Sequence, residues 1–285
     1  MKLPELLAPA GNLEKLKIAV HYGADAVYLG GKAFGLRNFA DNFSFDEMRE
    51  GLSYAHERGV KAYLTLNSYI GNDDLNALKE YLEELKRLLF DAYIVADPGV
   101  VQLVHEISPE KPLHLSTQAN TINWRSCLFW KKQGISRINL AREMTLKNVS
   151  ETSKKTDIEL EMFVHGAMCI SYSGRCLISS VMSGRSANKG ECSHPCRWSY
   201  SLVEETRPGE YFPVTEDDKG TFIFNSRDLC LVEHLPEILE ASVDSLKIEG
   251  RMKGIYYVAS VVRVYRAALD AIKAEGKEYK INPLW

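Results

Sequence analysis

Short apolar strands and amphipathic helices alternate along almost the whole chain, and this alternation restricts the fold more than any single motif does. ELLA (5–8) is an apolar run closed by PAG, and Asn12 caps a helix to about Tyr22 that Gly23 ends. Further strands are expected at DAVYLG (25–30), KAYLTL (61–66), AYIVA (92–96), LHLS (113–116), SRINL (136–140), residues 158–164 and DSLKIE (244–249). Between them the apolar periodicity predicts helices over 45–57, 73–89, from the DPG at 97–99 to about Glu106, over 123–133, near Leu146, over 228–240 and over 256–274. GADAVYLG, FDAYIVAD, GISRINLA and SVDSLKIEG repeat one plan, a turn followed by a short strand. Eight such units, roughly 30 residues apart, are parallel βαβ units, and eight of them close naturally into an α/β (β/α)8 barrel of the TIM type. An open doubly wound sheet is the alternative.

A barrel places its chemistry at the C-terminal ends of its strands. Because side chains alternate along a strand, Leu246 and Ile248 should face the helices, with Lys247 and Glu249 facing inward. The same rule turns Thr65, Asn67, Asp97, His114, Ser116, Asn139, Glu161 and His165 towards the axis or the mouth. Gln118, Arg142, Glu143 and Arg251 fall just past strand ends. Such a lining, rich in both charges, suits a small polyfunctional anion. The bland alternative is that Lys247, Glu161 and Glu249 only neutralise one another, since buried charges are normally paired.

Residues 161–198, EMFVHGAMCISYSGRCLISSVMSGRSANKGECSHPCRW, interrupt the alternation after the seventh strand. They hold four of the six cysteines, spaced C-x6-C-x15-C-x3-C at Cys169, Cys176, Cys192 and Cys196. The division expected is therefore one barrel domain over 1–285 with an insertion at 166–227. The start, MKLPELLAPAG, is too short and too broken by proline for a signal peptide, and no apolar run reaches the roughly 18 residues of a membrane span. A cytoplasmic protein is expected, with no membrane partner, and there clustered thiols point to metal or catalysis more than to disulfides. Structural zinc favours two short C-x2–4-C knuckles, and only Cys192 and Cys196 have that spacing. A 4Fe–4S cube tolerates irregular spacing, which puts iron–sulfur ahead of zinc. Four clustered thiols make a poor solitary nucleophile, even with His165 or His194 as base. Cys127, among Leu128, Phe129 and Trp130, reads as a core thiol, and Cys230, at the first turn of the 228–240 helix, as a reserve ligand.

These residues also carry a resemblance. E-x-F-x-x-G-A-M-C-x4-G-x-C-x-I-S, from Glu161 to Ser179, resembles the signature of the collagenase-like peptidase family U-32. ELLAPAGNLEKLKIAVHYGADAVYLG and SLKIEGRMKGIYYVASVVRVYR resemble the same family, so the likeness covers nearly the whole chain. It implies an oxygen-independent hydroxylase that binds a 4Fe–4S cluster through four cysteines, here Cys169, Cys176, Cys192 and Cys196. Branches of the family act on the tRNA wobble uridine (forming 5-hydroxyuridine, with prephenate required), on a ribosomal RNA cytidine, or on quinone precursors. The ending Cys192-x3-Cys196-Arg197-Trp198 is most similar to the tRNA branch. Many relatives continue into a small C-terminal domain, whereas this chain stops at Trp285, so full substrate binding is expected to need what that domain supplies.

On this reading His165, Lys247 and Glu249 are the catalytic candidates, and Arg142, Arg251, Asn67, Gln118, Arg175 and Arg197 the substrate-binding ones. Arg142 and Arg251 lead because a carboxylate prefers the bidentate fork of arginine. The net charge of −3 offers no general pull on nucleic acid, so tRNA would need a local patch. The cysteine segment supplies one, with Arg175, Arg185, Lys189, Arg197 and Trp198 against the single acid Glu191. DNA is not an expected partner; a related partner subunit is. A peptidase is the competing reading, although the chain has no H-E-x-x-H and no G-x-S-x-G. A non-catalytic partner subunit, its cluster structural or electron-carrying, is the third.

Overall fold

The computed structural model describes residues 3–36, 41–168, 176, 178–187, 190–198, 200–203, 205–213, 228–276 and 279–282. Its strands are β1 (Glu5–Ala10), β2 (Ala26–Gly30), β3 (Lys61–Leu66), β4 (Ala92–Val95), β5 (Leu113–Leu115), β6 (Ile135–Asn139), β7 (Glu159–Ala167), β8 (Ser201–Leu202), β9 (Phe212–Pro213), β10 (Asp228–Cys230) and β11 (Ser245–Ile248). The helices are α1 (Leu13–His21), α2 (Phe45–His56), α3 (Leu75–Leu85), α4 (Pro98–Ile107), α5 (Trp124–Lys132), α6 (Leu146–Lys155), α7 (Ile178–Ser183), α8 (Leu235–Glu240) and α9 (Ile255–Glu275).

The first seven strands pair in parallel in chain order, and β11 closes the ring between β7 and β1. The result is a closed eight-stranded parallel barrel wrapped by helices. Helix starts follow local chemistry. Asn12, Asp97, Asn123 and Thr145 each accept a backbone N–H of the first turn, and Ser44 with Glu47 forms a reciprocal capping box. The core between strands and helices is aliphatic, built from residues such as Leu6, Leu16, Leu64, Val104, Ile138, Leu246 and Ile248.

Inside the barrel the two halves differ in chemistry. From the first four strands come Leu7, Ala26, Tyr28, Tyr63, Ala92 and Ile94, a separate apolar cluster. Strands β5, β6, β7 and β11 contribute His114, Arg137, Asn139, Glu161, Ser245 and Lys247, all nearly inaccessible to solvent. One wall of the barrel is therefore inert and the other polar.

Two sequence expectations are corrected here. Residues 228–240 are not one helix: the segment begins as β10, antiparallel to the end of β7, and becomes helical only later. Cys230 accordingly lies on a strand opposite His165. The second concerns His165, expected to point inward. Between β11 and β7 the register advances by one, from Lys247 opposite Phe163 to Ile248 opposite His165, leaving Val164 as the extra residue of a β-bulge. A bulge inverts the alternation beyond it. His165 therefore faces α9, where its Nδ1 lies 3.4 Å from the Tyr265 hydroxyl and its ring packs against Tyr257 and Tyr265.

Candidate active site at the barrel mouth

The site is best built from the floor upwards. Arg137 lies under the polar wall, 2.5 Å from Glu5 and 2.8 Å from Glu159, with Glu161 at 3.6 Å. Burial works against its charge, but Glu161 and Glu5 outweigh it, and its pKa is raised. One layer higher, Lys247 Nζ donates to Glu161 Oε1 at 2.8 Å, and the Ser245 hydroxyl donates to the other carboxylate oxygen at 3.1 Å. The Lys247 ammonium also sits 4.6 Å from the centre of the Tyr28 ring and 5.5 Å from that of Phe163. Beside this layer His114 packs edge-on against Tyr63. Desolvation, then the charge of Arg137, pushes its pKa well below the ordinary histidine value, so it is a neutral imidazole.

Above these groups opens a pocket of about 130 Å³. Asn67, Gln118, Arg142, Lys247, Glu249 and Arg251 all line it, as do Thr65, Ser116 and Asn139. Asn67 Nδ2 donates to Gln118 Oε1 at 2.8 Å, and the Ser116 hydroxyl donates to the same oxygen at 3.1 Å. Arg251 is buried and donates to the Thr65 hydroxyl at 3.0 Å. It lies over Gly30, where a Cβ would come within 2.1 Å of its Nη1, so that position has room for no side chain. The Arg142 guanidinium stacks 3.7 Å from the centre of the Phe163 ring. Among the described residues, the pocket thus combines the cationic side chains Arg142, Lys247 and Arg251 with one carboxylate, Glu249, in a partly desolvated cleft.

The cysteine segment forms the upper wall. Cys176, Cys192 and Cys196 all line the same pocket. A serine network joins their supports: the Ser179 and Ser193 hydroxyls are 3.0 Å apart, those of Ser183 and Ser193 are 2.7 Å apart, and Ser193 N donates to Ser179 Oγ. It ties α7, just after Cys176, to the loop carrying Cys192. The five described cysteines are free thiols. Among the described residues no three His, Cys, Asp or Glu side chains converge as ligands of one ion. A 4Fe–4S cube does not need that convergence, since each thiolate binds its own iron. Soft thiolates on the wall of a mostly enclosed pocket are a donor set that fits such a cluster. Cys169, Arg175 and Lys189 lie outside the described residues, and Arg197 is placed by its backbone only, in a 3-10 turn over Pro195–Arg197.

Other candidates fall elsewhere. Cys230 is exposed and does not line the mouth. His165 is likewise absent from the lining, for the reason given above. Asp97, expected at the mouth, instead caps α4 through Gly99 and Val100. Cys127 is fully buried, and burial pushes its thiol up to about 11, which makes it an inert core residue. Of the three charges suspected of mutual neutralisation, Lys247 and Glu161 are paired, whereas Glu249 lines the pocket. Sequence reasoning passed over Tyr28 and Phe163, the rings beneath Lys247 and Arg142; period-2 alternation in AVYLG and EMF already turns both inward.

Fold and site together describe a TIM-type barrel whose mouth is roofed by cysteines. A model of peptidase family U32 matches residues 11–285, and the chain belongs to that family. It is 46% identical over 284 residues to the tRNA hydroxylation protein P1 of Bacillus subtilis, covering 100% of this chain and 67% of that protein. The 23S rRNA 5-hydroxycytidine C2501 synthase of Escherichia coli is 37% identical over 277 residues, 95% of this chain and 40% of the synthase. Among solved structures, the U32 peptidase Mk0906 superposes with a TM-score of 0.56 at 15% identity, covering 88% of this chain and 94% of its own, a likeness of fold. Among the described residues no helix is long and apolar enough to cross a membrane.

Proposed function

We propose that the protein is an oxygen-independent RNA hydroxylase, which forms 5-hydroxyuridine at the tRNA wobble position in the cytoplasm with prephenate as the required metabolite. The observation that carries this reading is that Cys176, Cys192 and Cys196 wall the same pocket as Arg142, Lys247 and Arg251. The higher identity to a protein named for tRNA hydroxylation supports tRNA over rRNA as substrate. Cys169, Cys176, Cys192 and Cys196 would hold a 4Fe–4S cluster, which supplies one-electron redox chemistry. The residues of this chain do the rest. Arg142 and Arg251 bind carboxylates through their guanidinium forks, and Glu161 holds the Lys247 side chain at the base of the mouth. Asn67 and Gln118 orient polar ligand groups, and the apolar wall of Tyr28 and Ile94 excludes water. Arg175, Arg185, Lys189, Arg197 and Trp198 give the tRNA a basic, aromatic approach. The segment by which relatives are longer, or a partner subunit, completes that contact.

The deciding experiment removes the gene and measures 5-hydroxyuridine in bulk tRNA; it should disappear and return with the wild-type gene. Unchanged tRNA with lost 5-hydroxycytidine in rRNA would transfer the reading to the rRNA branch. One local feature favours the peptidase reading instead, the exposed Cys230 opposite His165. Hydrolysis of gelatin by the purified protein, abolished by Cys230→Ala, would establish that activity in place of the hydroxylase.

A further inference from the structure

Among the described residues, three amide side chains line the mouth, and they are not equivalent. Asn67 and Gln118 bond to each other, and Asn67 Oδ1 also accepts from Leu36 N at 3.3 Å. Asn139, at the C-terminal end of β6, is only 2% exposed, yet its Oδ1 has no hydrogen-bond partner. Among the described residues none bonds its carboxamide at all. A buried acceptor left unpaired is unfavourable, and native structures seldom keep one without a use. The side chain forms part of the pocket wall: Asn139 lines the same pocket as Ser116, Arg142 and Lys247.

A carboxamide presents an N–H donor beside a C=O acceptor. That pair complements the N–H/C=O edge of uracil and, turned over, the ring-nitrogen/amino edge of cytosine. Bases in single-stranded RNA are read on these edges once splayed out of the stack. We propose that Asn139 is the residue that hydrogen-bonds the Watson–Crick edge of a pyrimidine entering the mouth. The inference rests on the RNA reading of this site and adds a specific contact to it. Because no described protein group holds the amide in one orientation, Asn139 accepts either pyrimidine, and the choice between them lies with other residues.

The test uses the full chain, purified anaerobically, and fluorescein-labelled pentauridine and pentacytidine as probes, with binding followed by anisotropy. Asn139→Ala should weaken both by about tenfold, the order of one good base contact. Asn139→Leu keeps much the same size but offers neither donor nor acceptor. It should weaken both probes by about tenfold, as Asn139→Ala does. Neither substitution removes a protein hydrogen bond, so both variants should melt within a few degrees of wild type. Undiminished binding of the probes by Asn139→Ala and Asn139→Leu, or a large drop in melting temperature for both variants, would overturn the assignment while leaving the RNA reading intact. Failure of the wild-type protein to bind either probe would sink the RNA reading and this assignment together.

Discussion

Lys247 and Glu161 form an ion pair 2.8 Å long inside the barrel, with their side chains 5% and 2% exposed. The carboxylate serves two cations, since Arg137 lies 3.6 Å away on its other side. Breaking a buried pair by removing one member leaves a charge without compensation, at a penalty of about 3–5 kcal/mol. Glu161→Leu strands both Lys247 and part of Arg137, and should destabilise the protein by that order in urea unfolding. Lys247→Met leaves Glu161 with Arg137 and should destabilise by clearly less. Equal losses would mean that the two cations do not share the carboxylate.

His114 predicts a pH dependence. Desolvation, followed by the repulsion of Arg137, depresses its folded pKa below the ordinary value of 6.5; Glu5 opposes the shift, and Lys247 and Lys61 add to it. For a depressed histidine the unfolded chain binds the proton first. The contribution is complete above 6.5 and is lost as pH falls from there towards the folded pKa. His114→Phe should therefore flatten the acid side of the stability profile, by up to about 1.4 kcal/mol per pH unit below 6.5. His165, also depressed by desolvation, supplies a second and smaller slope that remains in this variant. A parallel profile in wild type and variant would show that His114 titrates normally.

Gly30→Ala tests the seat of Arg251. The added Cβ would meet Nη1 at 2.1 Å and the Thr65 hydroxyl oxygen at 3.1 Å, so the guanidinium must leave its place. Because the obstructed group is the far end of a long side chain, the barrel should still fold. Loss of tRNA hydroxylation in a complemented deletion strain should match that of Arg251→Ala. Full activity in Gly30→Ala would remove Arg251 from the binding machinery.

The thiols make the fourth prediction. Anaerobically purified protein should contain iron and sulfide, and Cys176→Ala, Cys192→Ala and Cys196→Ala should each lower both severely. Cys127→Ala should leave them unchanged, as should Cys230→Ala, whose thiol lies off the mouth. Iron kept in Cys196→Ala and lost in Cys230→Ala would exchange those two ligands. A colourless protein holding zinc would remove the cluster altogether.

The barrel was legible because each strand carries its own boundary signals. AVYLG and KAYLTL are apolar runs closed by glycine or polar residues, and their helices begin at caps such as Asn12 and Ser44. Much of the mouth followed from period-2 alternation, which turned Thr65, Asn139 and Lys247 inward. That rule fails at His165, because a bulge is a property of two strands and leaves no mark in one. It fails differently at residues 228–230, where DLC is too short for a pattern and becomes a strand only because β7 overhangs the ring. The idle amide of Asn139 was beyond reach in principle: whether a side chain has a partner depends on every neighbour around it.

The closure of the barrel sets an order of events at synthesis. β1 pairs on one side with β2, made shortly after it, and on the other with β11, the last strand of the barrel to be made. Lys247, Glu249 and Arg251, three residues of the pocket, arrive with or just behind that last strand. A nascent chain that has emerged only as far as Cys230 still has an open barrel and no finished mouth. Metal loading at that stage would therefore meet thiols on an incomplete wall. Maturation of the site belongs after β11 has emerged and taken its place between β7 and β1.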